Sequence, residues 1–139
     1  MILKLSNDKT IETARSSFVM GIVNATPDSF YSGSRSPVLE EGVHAARHMI
    51  EDGADILDIG GESSRPGAKY IDAEEEIKRV VPLIKAIREF SDIPISIDTR
   101  KSEIAHKAIA AGADIINDIS GLRDDPEIGI VASTHGVPV

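Results

Sequence analysis

The sequence predicts an α/β fold of alternating strands and helices, and within that class the first half of a (β/α)8 barrel. Short apolar, β-branched runs alternate with segments of helical periodicity, an order that calls for a parallel sheet with helical crossovers. Polar side chains stand at or near the carboxyl end of every predicted strand. An open doubly wound sheet gathers such groups at its switch point, whereas a barrel collects them around its rim, so the pattern favours the barrel.

The four predicted strands are short and β-branched, and each meets a Gly, Asn or Asp. They span residues 18–23, 56–59, 93–97 and 115–119. Two of them belong to an internal echo, because 53–60 and 112–119 both read Gly-Ala-Asp followed by an apolar strand with a polar end. The echo supports a modular β/α repeat.

Helical periodicity lies between these strands, and capping residues set its limits. Ser36 is the expected cap of the first helix, with Pro37 at its first position and Gly53 beyond its end. Asp72 and Glu75 have the spacing of a capping box at the start of the second helix.

The later helices are predicted from similar signals. Thr99 is the expected cap of the third helix, which Gly112 ends, and a fourth helix is predicted over about 126–134. The acidic run 74–76 falls in the first turn of the second helix, where negative charge complements the helix dipole. We therefore expect this run to be a solvated face.

Composition narrows the classes of function. The chain has 139 residues, of which 41% are apolar, enough for one packed domain. Fifteen Lys and Arg against twenty-three Asp and Glu give a net charge of −8, which argues against nucleic acid or an anionic membrane as partner. No cysteine is available for disulfides, thiolate metal sites or thiol nucleophiles. Without a membrane-length apolar run or a secretory signal, a cytoplasmic location is expected.

Length suggests that only part of the barrel is present. A complete barrel needs about 250 residues, and residues 136–139 look like the beginning of a fifth strand. We expect one domain over residues 1–139, ending near that strand. Half a barrel would expose interior side chains, among which we expect those of the 95–97 strand.

Two loops that follow predicted strands carry candidate binding groups. Asn24 opens the loop 24–30 and offers a neutral oxygen of the kind that suits Mg²⁺. The loop 60–67 combines paired glycines, two serines and Arg65, whose guanidinium forms a fork for phosphate or carboxylate. Nucleotide-binding fingerprints are absent from the sequence. An ordinary surface loop is the alternative interpretation of each.

Asp98 and Asn117 end two apolar strands, where an uncompensated polar group is costly. An acid and an amide that face the same rim can recognise the donor and acceptor edge of a flat heterocycle. The alternative is that Asp98, together with Thr99, caps the helix that follows.

These segments together resemble dihydropteroate synthases. The resemblance runs from about Phe18 to the end of the chain, in the family's order and spacing, with Ala25 and Ser64 where the family more often has Val and Thr. It is carried by 20–30, 58–67, 95–99 and 111–118. It implies a (β/α)8 barrel, usually a homodimer, that condenses 7,8-dihydropterin-6-ylmethyl diphosphate with 4-aminobenzoate, releases diphosphate with Mg²⁺, forms dihydropteroate for folate biosynthesis and is a sulfonamide target.

The resemblance also implies site residues. Asp98 and Asn117 would bind the pterin edge, and Asn24 would contact the metal and the diphosphate. Asp98 and Arg65 would act catalytically, by stabilising positive charge on the pterin and negative charge on the leaving group. The remaining substrate contacts would be Ser64, Phe30 and Pro66. The family's later Asp, its Lys and its Arg-x-His have no counterpart before Val139, so residues 1–139 alone are expected to be inactive.

Two other functions stay open at this point. A pterin-binding methyltransferase domain that works with a corrinoid partner shares the barrel and the Asp and Asn that read the pterin. A non-catalytic half-barrel that binds pterin or serves in assembly is the other alternative. Activity with 4-aminobenzoate, rather than with a methyl donor, separates these functions.

Overall fold

The computed structural model describes residues 1–6, 9–26, 37–62, 67 and 70–139, with Pro37 described by its backbone alone. An N-terminal hairpin precedes four strands that alternate with four helices in these ranges. The elements are β1 (Ile2–Lys4), β2 (Thr10–Glu12), β3 (Met20–Asn24), α1 (Pro37–Glu51), β4 (Ile56–Gly60), α2 (Ala73–Arg88), β5 (Ile95–Asp98), α3 (Ser102–Ala111), β6 (Ile115–Asn117) and α4 (Glu127–His135).

The main sheet runs β3-β4-β5-β6, with every neighbouring pair parallel. Strand order follows chain order without a reversal, so this sheet has no switch point of the doubly wound kind. The four strands and four helices predicted from the sequence are confirmed. The antiparallel pair β1 and β2 was not predicted, because each strand has only three residues and mixed polarity.

The hydrophobic core lies between the sheet and the helices. The strand residues Ile59, Ile97 and Ile116 are almost fully buried in one cluster with Leu83 of α2 and Ile104 of α3. Burying such a side chain stabilises the fold by about 1.5–3 kcal/mol, so this cluster holds the helices on one face of the sheet. In the described ranges, no helix has both the length and the apolar character to span a bilayer.

The opposite face, here called the open face because the core helices pack on the other one, differs in composition from our expectation. Ile95 and Ile97 are completely buried on the helix side, so the prediction that the 95–97 strand exposes apolar side chains is wrong for both. Between them, Ser96 pairs in register with Asp58, placing two polar residues on the other face. The exposed apolar groups on the sheet belong instead to β3, where Ile22 is 61% exposed.

We expect the 139-residue chain to self-associate in solution. Ile22 lies on β3, an edge strand of the sheet, and Met20 on the same strand is 43% exposed. Exposed apolar side chains beside an unpaired edge favour association with a second copy. Size-exclusion chromatography with light scattering should show dimers or larger species, and Ile22→Ser should shift them toward monomer. Ile130→Ser, which changes an equally exposed isoleucine on α4, should not; a wild-type monomer at every concentration would contradict the prediction.

The third helix starts differently from the prediction. Thr99 does not cap it; α3 begins at Ser102, whose N–H donates to the Asp125 carboxylate at 2.7 Å. The alternative that Asp98 caps the helix is wrong for the same reason. The Thr99 side chain is buried and donates its hydroxyl to Glu76 at 2.9 Å.

The Asp residues of the two Gly-Ala-Asp repeats, Asp55 and Asp114, hold the amino ends of β3 and β5. Asp114 accepts hydrogen bonds from the Ile95 N–H at 2.9 Å, from Arg88 at 2.7 Å and from Lys9 at 2.7 Å. Lys9 lies directly before β2, so this carboxylate joins the hairpin, α2 and β5.

Asp55 does the same for the preceding strand. Its carboxylate accepts the Val19 N–H at 2.7 Å and pairs with Arg15, which follows the hairpin. The hydrogen bond from the Val19 N–H lowers the pKa of Asp55, and Arg15 acts in the same direction, while burial opposes both without cancelling them. The repeated Gly-Ala-Asp thus has a physical reason, because its Asp anchors the start of a neighbouring strand.

Candidate functional site

One register row brings the predicted polar residues together at the carboxyl ends of the strands. Asn24 pairs with Gly60, Gly60 with Asp98, and Asp98 with Asn117. Paired residues of a parallel sheet direct their side chains to the same face. The row therefore presents an amide, a gap at the glycine, a carboxylate and a second amide side by side on the open face.

Asp58 lies one step below this row and orients Asn117. It is two residues before Gly60 on β4, so its side chain shares the open face. Its Oδ2 accepts a hydrogen bond from the Asn117 side-chain N–H at 3.1 Å. The described part of the chain provides no donor to the Asn117 amide oxygen, which is therefore available to accept from a ligand. The other oxygen of Asp58, Oδ1, is buried and has no hydrogen-bond partner among the residues that the structure describes. Such an atom is costly unless something hydrogen-bonds to it, which marks a position where a ligand donor is favoured.

Sequence reasoning gave Asp58 no site role, although a signal was available. An acid inside the apolar run Ile-Leu-Asp-Ile is buried at a cost that packing alone does not explain.

Asp98 has a perturbed titration. Burial raises its pKa to about 6, and the negative charges of Asp58, Glu76 and Asp118 act in the same direction, while Arg100 opposes them. The carboxylate thus changes charge close to physiological pH. Strong perturbation by burial and like charge is typical of functional sites.

A tightly packed turn follows the row on β4. The Arg79 guanidinium donates to the Gly61 carbonyl at 3.0 Å. A Cβ at Gly61 would lie 2.9 Å from a Val80 methyl carbon and 3.0 Å from the Glu76 Cγ, so only glycine lets α2 approach this closely. The turn is therefore fixed against the amino-terminal half of α2.

A buried charge cluster lies beside this turn. Glu76 is completely buried, so the prediction of a solvated face holds for Glu74 and Glu75 but is wrong for Glu76. Its carboxylate is 2.7 Å from the Lys101 ammonium, which is also 3.2 Å from Glu62. Burial raises the pKa of Glu62, but Lys101 and Arg100 lower it more, so its net shift is downward.

Four predicted site residues lie outside the described residues, and their roles stay predictions. They are Phe30, Ser64, Arg65 and Pro66. Of the predicted site residues that the structure describes, Asn24, Asp98 and Asn117 share the register row. The same geometry adds Asp58, Glu76 and Lys101 to the surroundings of the site.

Comparison with known proteins gives a consistent result. The family model of pterin binding enzymes matches residues 20–139. The dihydropteroate synthase of Synechocystis sp. is 50% identical over 122 residues, which cover 88% of this chain and 42% of that relative.

Solved structures show the same likeness. The Xanthomonas albilineans dihydropteroate synthase with 4-aminobenzoic acid has a TM-score of 0.86 at 42% identity, covering 96% of this chain and 49% of that one. The Coxiella burnetii dihydropteroate synthase with pteroic acid has a TM-score of 0.82 at 36% identity, covering 99% and 48%.

The chain spans less than half of the length of each of these relatives. Its four parallel β/α units, in chain order, match the part of the (β/α)8 barrel that the sequence predicted. The sequence match over residues 20–139 and the structural match over nearly the whole chain agree, and the chain belongs to the family of pterin binding enzymes.

Proposed function

We propose that this chain forms the pterin-binding half of a dihydropteroate synthase. The protein would join 7,8-dihydropterin-6-ylmethyl diphosphate to 4-aminobenzoate and release diphosphate. The observation that carries the proposal is the register row Asn24, Gly60, Asp98 and Asn117, backed by Asp58. Relatives named dihydropteroate synthase support the assignment.

Asp98 and Asn117 bind the pterin edge in this proposal. The Asp98 carboxylate accepts from ring N–H groups, and the Asn117 amide oxygen accepts a further N–H because Asp58 holds its amide nitrogen. As the bond between the methylene carbon and the diphosphate oxygen breaks, positive charge develops on the pterin. A fixed carboxylate at the ring edge stabilises that charge without reorganising.

Asn24 is the proposed ligand for Mg²⁺. Its exposed carboxamide ends β3 in the same row as Asp98, and a single neutral oxygen fits an ion that takes few protein ligands and many phosphate or water oxygens. When bound, the ion neutralises charge on the departing diphosphate. Arg65 is proposed to assist the same oxygens with its planar fork.

The amine partner needs positioning more than activation. An aromatic amine is unprotonated at neutral pH, so bringing it into line with the methylene carbon supplies most of the required help. Ser64, Phe30 and Pro66 are proposed to surround it. The 4-aminobenzoic acid bound to the Xanthomonas albilineans relative supports this choice of substrate.

The proposal includes a cytoplasmic homodimer as the complete assembly. The lack of cysteine, which fits a reducing compartment, supports the location. Relatives that span about twice this length support a complete barrel in each subunit. Analytical ultracentrifugation of the protein encoded by the full reading frame measures the subunit number.

The direct test is a coupling assay on the protein encoded by the full reading frame. Dihydropteroate should form only when both the dihydropterin diphosphate and 4-aminobenzoate are present, with equimolar diphosphate release. Methyl transfer from methyltetrahydrofolate to a corrinoid, without coupling, would instead establish the methyltransferase function. Pterin binding without either reaction would leave a binding module. Residues 1–139 alone should bind pterin and form no product.

Pterin binding should weaken as pH falls through about 6. Below the raised pKa of Asp98, its carboxyl group is protonated and loses an acceptor for ring N–H groups. Affinity for a pterin without diphosphate should fall about tenfold for each pH unit below that value. Fluorescence titration of the wild type and Asp98→Asn checks this, because the variant should show no such acid limb. A wild-type affinity that is constant down to about pH 4 would contradict the role of Asp98.

A further inference from the structure

Both ends of the connection between β4 and α2 meet at one side chain, Lys101. The Lys101 ammonium is 3.2 Å from the Glu62 carboxylate, which lies directly after β4. It also donates to the Ile71 carbonyl at 2.9 Å, just before α2, and lies 4.4 Å from the centre of the Tyr70 ring. A single cation from the start of the α3 segment thus contacts the chain on either side of residues 63–69.

The position of this cation is fully determined by its partners. An ammonium has three N–H donors, and Lys101 uses them on Glu62, the Ile71 carbonyl and Glu76. The Glu76 contact is the shortest, at 2.7 Å, and comes from a completely buried carboxylate. Burial opposes protonation, but the two carboxylates raise the pKa of Lys101, so the ammonium stays charged.

The same buried carboxylate reaches the register row. Its second oxygen accepts the Thr99 hydroxyl at 2.9 Å, and Thr99 directly follows Asp98. The Thr99 N–H in turn donates to the Asn117 carbonyl at 3.1 Å. Glu76 is therefore bonded on one side to the anchor of the connection and on the other to the backbone that carries Asp98 and Asn117.

We propose that Lys101, held by Glu76, is a positioning residue that fixes both ends of the 62–71 connection relative to the register row. In this proposal Lys101 acts through its contacts with Glu62 and Ile71 rather than on a substrate, and it positions the second substrate relative to the pterin edge. This inference rests on the proposed function, in which the connection serves 4-aminobenzoate and the row serves the pterin. Loss of the anchor should therefore affect the two substrates unequally.

Lys101→Met is the primary variant, because methionine keeps much of the apolar stem and removes the charge. In the protein encoded by the full reading frame, we expect KM for 4-aminobenzoate to rise about tenfold or more, while KM for the pterin substrate stays within about twofold. Lys101→Arg, which restores a cation with several donors, should recover part of the loss. The matched control is Lys78→Met, since Lys78 makes an exposed ion pair with Glu74 at 2.7 Å and should change neither constant.

The double variant Lys101→Met with Glu76→Gln guards against misfolding. It removes both charges, so no unpaired carboxylate stays buried, and it should fold and still show the selective rise in KM. Equal changes in both KM values, or no change in a folded variant, would overturn the positioning role.

Hydrogen exchange supplies a readout that does not depend on turnover. The amides of Glu62, Tyr70 and Ile71 should exchange faster in Lys101→Met than in Lys78→Met or the wild type. Unchanged exchange at these amides would overturn the inference. A wild type that forms no dihydropteroate would refute the proposed function alone, and exchange would then decide the anchoring role of Lys101.

Discussion

Asp98→Asn is expected to lower kcat/KM for coupling by about 100- to 1,000-fold, the range found when one preorganised charge-stabilising group is removed. The amide has nearly the same volume as the carboxylate, so the register row keeps its shape. What is lost is the negative charge facing the ring N–H groups and the developing positive charge. Steady-state kinetics on purified protein measure the effect, and Asp52→Asn, an exposed site at the end of α1, is the matched control.

The same variant should be more stable than the wild type above about pH 6. The fold raises the pKa of Asp98 through burial and the nearby Asp58 charge, so ionising Asp98 costs stability in the folded state. This cost grows as pH rises from the ordinary carboxyl pKa to about 6, is constant above that, and is absent below about pH 4. Thermal melts of both proteins across this range check the sign. A folded variant with normal turnover would contradict the pterin-binding role of Asp98.

Asp114→Ala is expected to lower the free energy of unfolding by about 3–5 kcal/mol, as when one partner of a buried ion pair is removed. Its carboxylate joins Arg88, Lys9 and the Ile95 N–H, and its side chain is only 9% exposed. The loss is large beside the roughly 5–15 kcal/mol that stabilises a domain. Chemical denaturation measures it.

Asp55→Ala provides the comparison within the same repeat. Asp55 plays the corresponding role for β3 but is more exposed, so its replacement should cost less. An equal loss for both variants would mean that burial does not control the strength of these anchors. A negligible loss for Asp114→Ala would refute its role as the anchor of β5.

The strands, the helices and the register row could be predicted from the sequence because the patterns that indicate them are local. Asp98 and Asn117 each end an apolar run, and parallel crossovers then place them at one edge. Glu76 shows where local reasoning fails. In the first turn of a helix an acid reads as solvated, but its partner Lys101 is 25 positions away, and the pairing exists only after α2 and α3 pack.

The sequence-based interpretation of Thr99 was wrong, and the role of Asp58 was missed, for related reasons. Thr99 has the composition of a cap, yet its hydroxyl is used by Glu76 across the core. Asp58 acquires meaning only beside Asn117, 59 positions later. When the partner of a residue lies far away in the sequence, the role of that residue cannot be recognised from its neighbours in the chain.

The two ends of the four-residue strand β5 have different roles, one in stability and the other in the candidate site. Ile95 at the first position is held by Asp114, and Asp98 at the last position belongs to the register row. At the usual rise per residue, these two positions are about 10 Å apart. The charges that shift the pKa of Asp98 are those of Asp58, Glu76, Arg100 and Asp118, and the Asp114 carboxylate at the other end of the strand is not among them. A substitution at the Asp98 end that alters ligand preference and weakens the fold can therefore be compensated by a stabilising substitution at the Ile95 end of the same strand. The ligand preference can then change without passing through a variant that fails to fold.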